Sequence, residues 1–147
     1  MSFFDIRCPF HVFVAGVAAT TALFFATRLF EKKAGIQRFN VDKRFSNTIT
    51  YNSTVYISGQ VGEGNTIREQ TLSALKSVDE ALAEAESDKS KVLEVTVWLA
   101  DIKSDYAAMN EVYDKWIIPG SPPCRACVEA QLYTPSCRVE IRVVAAL

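Results

Sequence analysis

Histidine is nearly absent from this 147-residue chain: the only one is His11. Without a second imidazole, a His-rich metal site and a Ser-His-Asp triad are both excluded from the folded part. An excess of charge of either sign is missing too, since 16 Lys and Arg stand against 17 Asp and Glu for a formal charge of −1. That balance excludes a broad electrostatic grip on nucleic acid. Internal repeats and low-complexity linkers are also lacking, so the length implies one domain of ordinary size. The four cysteines (Cys8, Cys124, Cys127, Cys137) are unevenly placed, and a chain this long needs no disulfide staples to fold.

What is present is a large apolar share, 49 %, spread unevenly. Seven of the nine phenylalanines lie in the first thirty residues, and none follows Phe45. From Cys8 to Thr27 there are twenty consecutive residues without Asp, Glu, Lys or Arg. As a helix they would span the ~30 Å hydrocarbon core of a bilayer. The run has no polar face, which argues against a surface helix. Arg28, Lys32 and Lys33 outweigh Glu31 after it, whereas Arg7 cancels Asp5 before it. The excess of positive charge places the folded domain on the cytoplasmic side. Residues 1–35 are therefore read as a hydrophobic N-terminal helix, attached to a membrane through residues 8–27. The other reading is a targeting segment whose removal leaves a cytoplasmic or organellar (mitochondrial) protein. Asn52-Ser53-Thr54 matches a glycosylation sequon, but it reads as a polar hairpin turn.

Residues 36–147 read as one α+β unit. Thr48–Tyr51 and Thr54–Gln60 flank Asn52-Ser53, a hairpin signal. Ser58-Gly59-Gln60 ends the second strand with small residues that permit close approach of a backbone. A helix from about Thr66 to Ala85 opens on a capping box, Thr66 with Glu69, and carries an apolar stripe through Ile67, Leu75, Val78 and Leu82. Leu93–Leu99 alternates as a strand. Ser104 is placed to cap a second helix reaching Ile118, with Tyr106, Met109, Tyr113 and Trp116 on its apolar side. Pro119 to Pro123 stop it. Strands near Arg125–Leu132 and Arg138–Ala146 complete the order ββαβαββ, a mixed sheet with both helices on one face.

The last two strands hold the candidate chemistry. Alternation assigns Ala126, Val128, Ala130 and Leu132 to the core face, and Arg125, Cys127, Glu129 and Gln131 to the other. In the final strand it assigns Val139, Ile141, Val143 and Ala145 to the core, leaving Arg138, Glu140 and Arg142 with Arg125. A guanidinium grips a small carboxylate through two parallel hydrogen bonds, and a nearby carboxylate such as Glu140 orients or deprotonates a water. The same row would also arise from cross-strand ion pairs on a wet sheet face. Cys124-Arg125-Ala126-Cys127 is formally a CxxC, but it lies along a strand and lacks further ligands, so neither zinc nor a redox pair is implied. Asn110, beside the apolar stripe of the second helix, is placed to aim a carboxamide at a ligand.

Val55-Tyr56-Ile57-Ser58-Gly59-Gln60-Val61, Asp105-Tyr106-Ala107-Ala108-Met109-Asn110, Pro122-Pro123-Cys124-Arg125-Ala126-Cys127-Val128-Glu129-Ala130 and Val139-Glu140-Ile141 resemble the Rid family of reactive-intermediate deaminases, also called the YjgF family. The resemblance covers about residues 40–147. It implies a chorismate-mutase-like α+β subunit in a homotrimer, with ligand sites in clefts between subunits. It also implies hydrolysis of 2-imino or 2-enamino acids to 2-oxo acids and ammonia, with no metal or organic cofactor. On this resemblance Arg125 holds the substrate carboxylate and Glu140 positions the attacking water, while Cys127, Ser58, Gly59 and Asn110 line the pocket. The alternative it leaves is a non-catalytic trimer that binds small 2-oxo or amino acids. A ribonuclease or nucleic-acid role attached to some relatives fits poorly with the charge balance. One departure stands out. Where familiar members carry Gly-Pro-Tyr, this chain has Lys43-Arg44-Phe45-Ser46, and Arg44 is expected to add a second positive charge to the pocket.

Overall fold

The computed structural model describes residues 35–147, and the expected N-terminal helix lies outside them. Among the described residues no helix is long and apolar enough to cross a membrane. The elements are β1 (Gln37–Val41), β2 (Ser46–Tyr51), β3 (Thr54–Val61), α1 (Ile67–Glu84), a 3-10 turn (Lys89–Lys91), β4 (Val92–Leu99), α2 (Ile102–Trp116), β5 (Cys124–Glu129) and β6 (Val139–Ala146). They form one six-stranded sheet in the order β1-β2-β3-β6-β4-β5. Every pairing is antiparallel except β4 with β5, which α2 joins as a parallel crossover.

Strand β1 corrects the expected ββαβαββ order to βββαβαββ. Its sequence, Gln-Arg-Phe-Asn-Val, buries almost nothing, so no apolar alternation marks it. Backbone pairing with β2 alone makes it a strand. The hairpin turn between β2 and β3 forms as read: Asn52 and Ser53 both take positive φ, 47° and 61°, the backbone that a two-residue turn needs to match strand twist.

Helix α1 starts where its capping box places it. Thr66 Oγ1 accepts the Glu69 N–H at 3.2 Å, and the Glu69 carboxylate accepts the Thr66 N–H at 2.9 Å. Such a cap is worth about 1 kcal/mol. The cap of helix α2 lies three residues before the expected one: Asp101, not Ser104, accepts the Lys103 and Ser104 N–H groups at 3.0 and 3.1 Å. Both are good capping residues, and the earlier one wins because the chain leaves β4 at Leu99 and turns at once.

Both helices pack on one face of the sheet. Leu75, Val78 and Leu82 of α1 and Met109, Tyr113 and Trp116 of α2 close over Val55, Ile57, Val95, Val97, Ile141 and Val143. Each fully buried aliphatic side chain there contributes roughly 1.5–3 kcal/mol. The reverse face has no cover among the described residues. On it stand Tyr56 and Val128, 40 % and 46 % exposed, with half-buried Trp98 and Val144.

Candidate active site

Register decides which side chains share a face, because paired residues on neighbouring strands project to the same side. Val95 pairs with Arg125 and Val143, Val97 with Cys127 and Ile141, and Leu99 with Glu129 and Val139. Arg125, Cys127 and Glu129 therefore lie on the helix-covered face. Trp98 pairs with Val128 and Glu140, and Thr96 with Ala126 and Arg142, which puts Glu140 and Arg142 on the uncovered face. This corrects the sequence reading, in which Arg125, Cys127 and Glu140 shared a side. The alternation of β5 is real, but its faces are exchanged. As an edge strand it is only partly covered by α2, and its apolar residues Ala126 and Val128 point away from the helices.

The covered side of β5 meets one helix along its length. Arg125 donates from Nη1 to Asn110 Oδ1 at 2.7 Å and from Nη2 to the Tyr106 hydroxyl at 3.4 Å. Its Cζ stands 4.6 Å from the centre of the Tyr113 ring. At the other end, Glu129 Oε2 accepts the Ile102 N–H at 3.0 Å, capping the start of α2. A cation beside the later turns and a carboxylate at the first turn both suit the helix dipole. Cys127 sits between them, half-buried. Burial pushes its thiol up and Arg125 opposes this, so the group stays protonated near neutrality and is no ready nucleophile.

No acidic side chain among the described residues pairs with Arg125, whose partners are an amide oxygen, a phenol and a ring face. Two other arginines differ. Arg68 pairs with Glu111 at 2.7 Å, and Arg138 grips the buried Asp105 through two hydrogen bonds. Arg138 also donates its backbone N–H to Gln70 Oε1 at 2.8 Å, so it ties the start of β6 to both helices. Arg125 has no ion pair of that kind. A recess of about 280 Å³, walled by Tyr113, Asp114, Ile117, Pro122 and Pro123, opens beside it.

A second cluster lies on the uncovered face. Ser58 and Gly59 stand opposite the single residue Arg142, because the pairing of β3 and β6 steps from Ile57–Val143 to Gln60–Ile141. Bulges of this kind re-aim side chains and recur beside active sites. Here Asn47 Oδ1 accepts the Ser58 hydroxyl at 3.1 Å and Gln60 Nε2–H at 2.8 Å, locking the bulge. The Glu140 carboxylate fills the space over Gly59: a carbon added there would meet Oε1 at 1.8 Å.

Within one chain the predicted site residues thus fall into two groups, Arg125–Cys127–Asn110 and Ser58–Gly59–Glu140, on opposite faces. Arg44 lies in the exposed turn before β2, at the far edge of the sheet from β5, so within one chain it does not join Arg125. Tyr106 and Tyr113 touch Arg125 but were read from sequence only as helix core. Their spacing with Asn110, at i, i+4 and i+7, was the signal that they share its stripe. No group of three or more His, Cys, Asp or Glu side chains among the described residues is arranged to hold a metal ion.

Residues 35–147 match the family described as Endoribonuclease L-PSP. The chain belongs to that family, the YjgF/RutC/Rid group. A RutC family protein of Haemophilus ducreyi is 40 % identical to this L-PSP family member over 114 residues, covering 76 % of this chain and 97 % of the relative. The crystal structure of NMB1025 from Neisseria meningitidis, a YjgF family member, gives a TM-score of 0.75 at 42 % identity, covering 77 % of this chain and 95 % of that one. A 2-iminobutanoate/2-iminopropanoate deaminase of Mus musculus is 36 % identical over 110 residues, covering 69 % of this chain and 79 % of its own length. The family resemblance read from the sequence is confirmed.

Proposed function

We propose that this chain hydrolyses reactive 2-imino and 2-enamino acids to 2-oxo acids and ammonia, at a site completed between copies of itself. The observation that carries the reading is Arg125, a guanidinium held by neutral partners and free to bind a carboxylate. The deaminase name of the mouse relative supports the substrate class. Glu140 lies on the other face, so a second subunit must bring its Glu140 to the first subunit's Arg125. The exposed apolar residues Tyr56, Val61 and Val128 on the uncovered face support its burial against further copies, in a homotrimer.

In this reading Arg125 binds the substrate carboxylate and fixes the C=N carbon beside the bulge of the neighbouring subunit. Glu140 takes a proton from a water as its oxygen bonds that carbon and the C=N electron pair moves to nitrogen. The protonated Glu140 returns its proton to that nitrogen, and the carbinol hydroxyl gives its own proton to the amine as the C–N bond breaks, releasing ammonia and the 2-oxo acid. An imine is already electrophilic, so positioning and charge recognition suffice. Cys127, Asn110, Ser58 and Gly59 line the cleft.

The test generates an imino acid in situ with an amino-acid oxidase and follows its decay with and without the protein. Faster decay that Arg125→Ala abolishes, with the oligomer intact by light scattering, supports the reading. An Arg125→Ala variant as active as the parent overturns it. Tight 2-oxo acid binding with no effect on imine lifetime would mark a ligand-binding trimer instead. Where the activity sits in the cell is a separate proposal: the uncharged run over residues 8–27 supports membrane attachment with the domain on the cytoplasmic side, and carbonate extraction of membranes tests it.

A further inference from the structure

We infer that Tyr113 is the positioning residue for the carboxylate-binding cation: its ring face, in place of an acidic partner, fixes the plane of the Arg125 guanidinium. The inference rests on the reading of Arg125 as the group that binds the substrate carboxylate.

Arg125 projects from an edge strand and is exposed, a setting in which a long side chain ordinarily samples many rotamers. A carboxylate partner is the usual way to hold it, as Glu111 holds Arg68 and Asp105 holds Arg138. Such a partner would also cancel the charge that a substrate must find. Helix α2 solves both demands with uncharged groups. Tyr106, Asn110 and Tyr113 recur at i, i+4 and i+7, so all three reach β5 from one stripe. Asn110 and Tyr106 each take one N–H at the edge of the guanidinium. The Tyr113 ring, with its centre 4.6 Å from Cζ, provides a π face, and a cation over such a face is stabilised without being neutralised. Three of the five N–H groups remain for a ligand.

The seat is itself anchored. Tyr113 is 5 % exposed and packs against Trp116 at 5.9 Å between ring centres, and Trp116 Nε1–H donates to Asp79 of α1 at 2.9 Å. The guanidinium is thereby referenced to the helix pair, not to a mobile surface. The Tyr113 hydroxyl is buried with no hydrogen-bond partner among the described residues, so the ring, and not the hydroxyl, is the working part. Burial also pushes its ionisation up, which keeps the ring uncharged beside the cation.

The experiment compares the full-length parent with Tyr113→Phe, Tyr113→Leu and Arg125→Ala. Pyruvate binding is titrated by NMR, imine hydrolysis is measured as above, and the Arg125 side-chain signals are assigned by their loss in Arg125→Ala. In the parent the ring current should shift the Arg125 Hδ and Hε signals upfield, and Tyr113→Phe should preserve this. Tyr113→Leu should return them to ordinary positions, weaken pyruvate binding about five- to tenfold and raise KM equally, with kcat within about twofold. Arg125 signals unshifted in the parent overturn the inference even if the Leu variant fails to fold. So does parent-like pyruvate affinity in Tyr113→Leu, a loss in Tyr113→Phe equal to that in Tyr113→Leu, or a fall in kcat at constant KM. A parent that neither binds pyruvate nor shortens imine lifetime overturns the functional reading instead, and the ring-current shift still decides whether Tyr113 seats Arg125.

Discussion

Gly59 and Glu140 occupy one space: a single carbon added to Gly59 would stand 1.8 Å from the carboxylate oxygen of Glu140. The absence of a side chain on β3 is what lets the proposed water-positioning group lie flat against the bulge. Gly59→Ala should therefore displace Glu140 and cut imine hydrolysis about 10- to 100-fold, the usual cost of a misplacement near 1 Å. The melting temperature should change little, because the clash is with the far end of a flexible side chain and not with backbone. Activity in the Ala variant within twofold of the parent would show that the Glu140 carboxylate need not lie there.

Opposite-face placement of Arg125 and Glu140 makes a sharper demand. Neither Arg125→Ala nor Glu140→Ala should be active alone, yet subunits of the two variants refolded together should regain about a quarter of parent activity. That is the share of subunit boundaries at which an intact Arg125 faces an intact Glu140. No recovery in a mixture shown by native mass spectrometry to contain both subunits would rule out a shared site.

Neutral partners keep Arg125 available. Asn110→Asp preserves the acceptor 2.7 Å from Nη1 and adds a charge to it. The new ion pair should raise KM for imino acid about tenfold while leaving the fold intact by circular dichroism. An unchanged KM would show that a counter-ion does not block the cation.

Acid should loosen the helix starts. Hydrogen bonds to backbone N–H groups hold Glu69 and Asp101 below the usual carboxylate range. A lowered folded value means that their stabilisation is fully present above the unfolded range near pH 4 and is lost as pH falls through the folded values. Thermal melts between pH 7 and pH 3 should show a flat upper region and a drop below about pH 4, with a shallower drop in Asp101→Asn. A parallel drop in that variant would place the acid-sensitive groups elsewhere.

Local chemistry was legible wherever one segment carries its own signal. Thr66 with Glu69 marked the start of α1, Asn52-Ser53 marked the hairpin, and the alternation of β6 marked its core face, because each depends on residues within a few positions. Strand β1 was missed because it buries almost nothing and exists through pairing with β2. The cap of α2 fell to Asp101 over Ser104 because the exit from β4 sets where the helix turns in.

The order of residues alone determined that Arg125, Cys127 and Glu129 share one side of a strand, that Glu140 and Arg142 share one side of another, and that the chain belongs with the Rid-type proteins. It did not determine which side of β5 the helices cover. Alternation defines two faces with equal clarity, and which of them is covered depends on where α2 returns across the sheet. The tertiary structure set β5 parallel at the edge, turned its polar row beneath α2 and left its apolar row outward. That placement gives Arg125 uncharged hydrogen-bond and ring partners and separates it from Glu140, two facts that no short-range pattern encodes.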